Sequence, residues 1–198
     1  MAIRIAAAVL AGYLLGSVSN SIVISRMLYK RDVRKAGSGN AGATNMARNF
    51  GMGAGILTLA LDVLKGILAC LIGQWLQGDW GVLAAGLACD VGHCLPLFFG
   101  FKGGKGVSVG TAVAIFLGWK VLLIAAAAFA LGFVLTKRVS VGSLSAAVAL
   151  PIAAFLLLSS LPLSLLALAA GLLVIIRHVP NVKRLLKGEE PEFKAAKR

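Results

Sequence analysis

The chain has 198 residues, 59% of them hydrophobic and only 14% charged, with a mean hydropathy of +0.92. Soluble domains are about one quarter charged residues, so this balance excludes an ordinary soluble fold and leaves an all-α integral membrane protein. Its net charge of +13, from 20 Lys and Arg against 7 Asp and Glu, would suggest nucleic acid in a soluble chain. In a membrane protein it reflects topology and an anionic substrate or lipid headgroup, and no nucleic-acid partner is expected.

The first apolar run, 3–28, reads as a retained span. Cleavage after Gly16-Ser17 would leave the basic Lys30–Lys35 cluster outside, against the positive-inside bias. Next comes a polar island, Gly37-Ser38-Gly39-Asn40-Ala41-Gly42-Ala43-Thr44-Asn45, followed by Arg48 and Asn49. Gly37, Gly39 and Gly42 formally make GxGxxG, but no strand precedes them, so a dinucleotide fold is rejected. The segment reads as an anion-binding nest leading towards the second helix. Glycines turn backbone N–H groups into a concavity, and Ser38, Asn40, Thr44, Asn45 and Arg48 add donors and charge.

Spans are expected at 53–74 and 81–99. They contain Asp62 with Lys65 and Asp90 with His93, each pair at i,i+3 on one helical face. Charges at membrane depth face a bundle interior; these four read as an interhelical clasp, with His93 supporting the loop after it. Cys70, Cys89 and Cys94 lack metal or redox spacing and read as small buried hydrophobes.

A second glycine loop, Gly100-Phe101-Lys102-Gly103-Gly104-Lys105-Gly106, opens a helix at 107. It is only superficially a Walker loop, since Phe99 and Gly106 stand where Gly and Ser or Thr are required. Backbone donors at Gly103, Gly104 and Gly106, the helix N-terminus and the Lys105 ammonium can converge on one phosphate.

The stretch 107–136 would be about 45 Å long as a single helix, too long for a hydrocarbon core of about 30 Å. The break at Gly118-Trp119-Lys120 divides it into spans 107–118 and 121–136, and 140–158 and 162–177 complete seven. With the N-terminus outside, the inner connections 29–52, 100–106 and 137–139 and the tail from 177 collect almost every loop cation, including Lys197 and Arg198. Only Arg4 and Lys120 fall outside, so seven spans with a cytoplasmic C-terminus satisfy the positive-inside rule and six do not. The basic tail, 178–198, begins His178-Val179-Pro180-Asn181 and continues through Lys183, Arg184 and Gly188-Glu189-Glu190. His178 alone reads as a helix-end cap, a phosphate donor or a general base.

There is no His-x4-Asp pair, GxSxG elbow, HExxH or DxD cluster, and with two histidines in the chain no metal or cofactor site is expected. The polar segments all fall on one side. That one-sidedness argues against the competing reading, a carrier or channel for a phosphorylated anion, which requires an outer exit. A structural anchor binding anionic lipids would not require the glycine loops.

Three segments in order resemble the motifs of the PlsY-type glycerol-3-phosphate acyltransferases: Gly37 to Asn45 with Arg48, Gly92-His93-x-x-Pro96 through Gly103-Gly104-Lys105-Gly106, and His178-x-x-Asn181-x-x-Arg184 through Gly188-x-Glu190. The Leu61-Asp62-x-x-Lys65-Gly66 sequence extends the likeness over nearly the whole chain. The resemblance implies a seven-helix bacterial inner-membrane enzyme with a cytoplasm-facing site and no metal. It implies transfer of a fatty acyl group from acyl phosphate to sn-glycerol 3-phosphate, amid membrane lipids and beside an enzyme that forms acyl phosphate. Carried over to this sequence, Lys105, His178, Ser38 and Arg48 take catalytic roles. Gly37, Gly39, Asn40, Thr44, Asn45, Gly103, Gly104, Gly106, Asn181 and Ser143 bind substrate, while Asp62, Lys65, Asp90 and His93 support them. Ala41 replaces the usual Pro of the first motif and Val179 an Arg of the third; neither touches the polar residues carried over.

Overall fold

A computed structural model of the chain describes residues 1–196, and all regular secondary structure among them is helical. Lys197 and Arg198 lie outside the described residues. The first apolar run forms α1 (Ala2–Ser17) and α2 (Asn20–Tyr29). The expected continuous helix breaks at Val18 and Ser19, both extended. The cause lies on another helix. The Lys65 ammonium donates to the carbonyls of Gly16 (3.0 Å) and Val18 (2.7 Å), which the break frees.

A short helix not expected from the sequence, α3 (Ala43–Phe50), follows the first glycine loop. It buries Met46 and Phe50 against Ile22, Val33 and Ala54, and Phe50 stacks on Tyr29 at 4.5 Å. The next helix, α4 (Met52–Cys94), is non-helical at Gln77 and Gly78. There it doubles back. Gly73 abuts Gly81, Gly86 faces Cys70, and Lys65 meets His93, a pairing that only antiparallel arms produce. The two arms correspond to the spans expected at 53–74 and 81–99, except that the second ends at Cys94, just before Pro96.

The second arm packs along α1 without reversing direction. Gly12 faces Ala85, Gly16 faces Cys89, and a side chain at either glycine would strike the facing backbone carbonyl. With Ala8 these glycines make a small-residue stripe on α1 that lets the backbones close.

Gly118, at φ +116°, separates α5 (Val107–Leu117) from α6 (Trp119–Thr136), as the length argument required. The bundle closes with α7 (Val139–Leu157), α8 (Leu161–Arg177) and a short amphipathic α9 (Val179–Leu186). Val82, Val113, Val121, Leu150, Ala154 and Leu166 form the main core among α4 to α8.

By length and composition, Ala2–Tyr29, Met52–Phe99, Trp119–Thr136 and Val139–Leu157 are able to cross a membrane. A fifth span arises if Leu161–Arg177 and Val179–Leu186, bent by 52°, count together; Val107–Leu117 is apolar but short.

Candidate active site

The first glycine loop is organised around Asn45, which is 1% exposed. Its Nδ2 donates to the carbonyls of Val33, Ala36 and Asn40, each at 3.0 Å. Its Oδ1 accepts from the Ser38 N–H (3.0 Å) and from Asn49 Nδ2 (2.9 Å). With every polar atom of the amide engaged, Asn45 shapes the loop and has no free donor for a substrate, which corrects the ligand role expected for it. Gly37 at φ +56° has no room for a side chain: a Cβ would lie 2.5 Å from Asn45 Oδ1. The loop leaves Ser38, Asn40, Thr44 and Arg48 facing a cavity.

Arg34 joins the first loop to the second. Its guanidinium donates to Asp32 and to the Phe99 carbonyl (2.7 Å). The Arg34 hydrogen bond holds the Asp32 carboxyl well below the usual carboxylate range, against the effect of burial.

In the second loop, the Gly103 and Gly104 amides donate to the carbonyls of Cys94 (3.2 Å) and His93 (2.9 Å), folding the chain back over the end of α4. A Cβ at Gly104 would enter the His93 imidazole, and one at Gly103 the His93 carbonyl. The His93 ring is not free to yield. Its Nδ1 lies 3.2 Å from Lys65 Nζ, and Lys65 is 3.1 Å from Asp62 Oδ1. The clasp is therefore Asp62–Lys65–His93. Asp90 does not pair with His93 as its spacing predicted; fully buried, it has no hydrogen-bond partner on either oxygen among the described residues and faces Gly106. Helical spacing places two residues on one face, but the neighbouring arm of α4 decides which of them meet.

Overpacking a rigid site costs about 1–3 kcal/mol, so Gly104→Ala is expected to displace the loop. Activity should fall about tenfold or more while the protein stays folded by size-exclusion chromatography. Parent-level activity would show that the loop is not held by this contact.

Lys105 donates to Asn181 Oδ1. Burial, then the nearby Arg184, push the Lys105 ammonium down to about 8, with Glu190 opposing. His178 is 4% exposed, and its Nδ1 lies 2.8 Å from the Val174 carbonyl. A carbonyl only accepts, so Nδ1 carries the hydrogen and Nε2 is left as the acceptor. Burial pushes the imidazole down to about 4, so it is neutral at pH 7.

These groups share a cavity of about 390 Å³. Its lining combines polar side chains, among them Ser38, Asn40, Thr44, Arg48, Lys105, Ser143, His178 and Asn181, with the apolar Leu122, Ala125, Phe129, Leu150 and Ala170 from α6, α7 and α8. A second cavity of about 500 Å³ shares Ser38, Asn40 and Lys105 and adds Gly39, Lys102, Gly103, Arg177 and Arg184. Gly37, Gly104 and Gly106, like Asp62, Lys65 and Asp90, line neither cavity.

The sequence reading assigned no role to Glu190, Ser140 or Thr111, all of which line the first cavity. Glu190, 4% exposed, accepts from Asn181 Nδ2 (2.6 Å) and Arg184 Nε (2.7 Å). Burial raises its carboxyl, but these hydrogen bonds outweigh burial and hold it below its ordinary value. Its place at the end of the third motif was the available signal.

The class this structure defines is a helical membrane protein whose cavity gathers Arg48, Lys105 and other polar side chains beside apolar ones. The family model described as glycerol-3-phosphate acyltransferase matches residues 6–188. Glycerol-3-phosphate acyltransferases of Shouchella clausii and of Synechococcus sp. (strain JA-3-3Ab) are 44% and 42% identical to it. The alignments cover 96% of both chains in the first case, and 94% of this chain and 92% of the relative in the second. The crystal structure of PlsY, an integral membrane glycerol 3-phosphate acyltransferase, in its glycerol 3-phosphate form superposes with a TM-score of 0.90 at 36% identity over 96% of both chains. Its lysophosphatidic acid form gives 0.87 at 35% identity, over 96% of this chain and 95% of that one. The chain belongs to the glycerol-3-phosphate acyltransferase family and is an acyltransferase.

Proposed function

We propose that this enzyme transfers a fatty acyl group from acyl phosphate to the 1-hydroxyl of sn-glycerol 3-phosphate, giving lysophosphatidate and inorganic phosphate. The observation that carries this reading is the cavity's mixed lining, with cations suited to phosphates and apolar side chains suited to an acyl chain. The related PlsY was crystallised in glycerol 3-phosphate and lysophosphatidic acid forms, an acceptor and a product of this kind of reaction.

Ser38, Asn40, Thr44 and Arg48 hold the acceptor's phosphate, with Ser143 across the cavity. Lys105, oriented by Asn181, holds the donor's phosphate and neutralises the charge that grows on it as the acyl C–O bond breaks. The incoming hydroxyl forms the new C–O bond and gives its proton to His178 Nε2, whose tautomer is set by the Val174 carbonyl. Acyl phosphate is already activated, so positioning and electrostatics supply the acceleration without a covalent enzyme intermediate.

We further propose seven spans, an outside N-terminus, a cytoplasmic site and residence in a bacterial inner membrane beside an enzyme that forms acyl phosphate. What supports the topology is the doubling back of 52–94, the parallel run of α1 beside its second arm, and the gathering of Lys and Arg on the glycine-loop side.

Purified protein assayed with acyl phosphate or an acyl thioester, each with glycerol 3-phosphate, tests the donor; phosphate release with the first alone is the expected result. Thioester activity without acyl-phosphate activity rejects the donor, and glycerol 3-phosphate uptake into vesicles without acylation rejects the enzyme. His178→Gln is expected to lower kcat about 100-fold with little change in KM. A variant with near-parent kcat and an unchanged pH–rate profile would pass the proton to a substrate phosphate oxygen.

A further inference from the structure

Residues 187–196, beyond α9, fold back onto the molecule. Gly188, at φ +72°, turns it back, and Glu190 enters the first cavity. Arg138 Nε donates to the Glu190 carbonyl (2.8 Å) and Arg48 Nη2 reaches the Pro191 carbonyl (3.4 Å). The Phe193 N–H donates to the Lys137 carbonyl (2.9 Å) while its ring packs edge-on to Phe133 at 6.3 Å. The Ala196 N–H then donates to the Ala47 carbonyl of α3 (3.1 Å). Six residues thus run from the α6–α7 connection to α3; Ser143 on α7 and Thr44 and Arg48 on α3 all line the first cavity. This segment lies beyond residue 188, where the family match ends.

We propose that Pro191–Ala196 is a positioning strap for the glycerol 3-phosphate arm of the site: tied to the α6–α7 connection at Phe193, it holds α3 and the Arg48 guanidinium at the distance from α7 that the phosphate requires. The inference rests on the reading that Arg48 binds the acceptor's phosphate. An eight-residue helix has little stability of its own, so its placement depends on what it packs against and on what ties it to the rest of the chain. The strap supplies such ties, a hydrogen bond to the α3 backbone and a carbonyl for Arg48.

Phe193→Pro removes both the ring and the donated N–H, whereas Phe193→Leu keeps the N–H and an apolar side chain. For Phe193→Pro, the KM for glycerol 3-phosphate should rise about fivefold or more, with kcat within about twofold. Amide hydrogen exchange across Ala43–Phe50 should also quicken. Phe193→Leu should restore parent values. Arg48→Ala, measured in parallel, separates the two possible failures. If Arg48→Ala raises this KM and Phe193→Pro does not, the strap is overturned and the site reading stands. If Arg48→Ala leaves KM unchanged, both fall. Loss of kcat at constant KM in Phe193→Pro also overturns the strap, because it reports general damage rather than positioning.

Discussion

Lys105→Ala is expected to lower kcat/KM about 1000-fold, roughly 4 kcal/mol of transition-state stabilisation. Lys105 is the cation common to both cavities, and Asn181 aims its ammonium into the shared space. A pH profile makes the test specific. The ammonium of the free enzyme sits at about 8, lowered chiefly by burial. Its charge is therefore present below that pH and lost above it, and kcat/KM should fall on the alkaline side from about pH 8. Bound phosphate stabilises the charged form, so the corresponding limb in kcat should move to higher pH. A guanidinium does not deprotonate in this range, so Lys105→Arg should remove the limb at whatever rate it retains. An unchanged profile in both variants would take Lys105 out of the chemistry.

Asn45→Ala should nearly abolish activity and lower thermal stability by several kcal/mol. It leaves the Val33, Ala36 and Asn40 carbonyls and the Ser38 N–H without their partner, and each buried unsatisfied group costs about 1–3 kcal/mol. Asn45→Asp, almost the same shape, should be worse, because it turns an oxygen towards the three carbonyls. A residue that merely gripped substrate would show a raised KM and an unaltered unfolding temperature. Measuring both parameters in detergent distinguishes scaffold from ligand. A stable Asn45→Asp enzyme would contradict the scaffold role.

Much of this molecule was legible in its composition. Apolar runs and the Gly118 break mark the helices because length, hydropathy and backbone freedom are local properties. Ser38, Arg48 and Lys105 stood out because polar glycine loops with cations are unusual in an apolar chain, whereas His178 and Asn181 were reached only through the resemblance of the third motif; all five line the first cavity. One break was not legible. The interruption at Val18 and Ser19 follows from the ammonium of Lys65, brought beside α1 by α4. Nor did the sequence distinguish Asn45 from Asn40. Both are asparagines in one loop, but only one points into the three carbonyls that the loop itself creates.

The sequence by itself determined the membrane class, the helical periodicity and the residue types of the site, since these depend on hydropathy and on chemistry carried within a few neighbouring residues. Tertiary structure alone decided that His93 joins Asp62 and Lys65 while Asp90 faces Gly106. It also brought Glu190 back to Asn181 and tied Ala196 to the Ala47 carbonyl of α3. Such pairings depend on distances between segments far apart in the chain, and those distances exist only once the helices have packed.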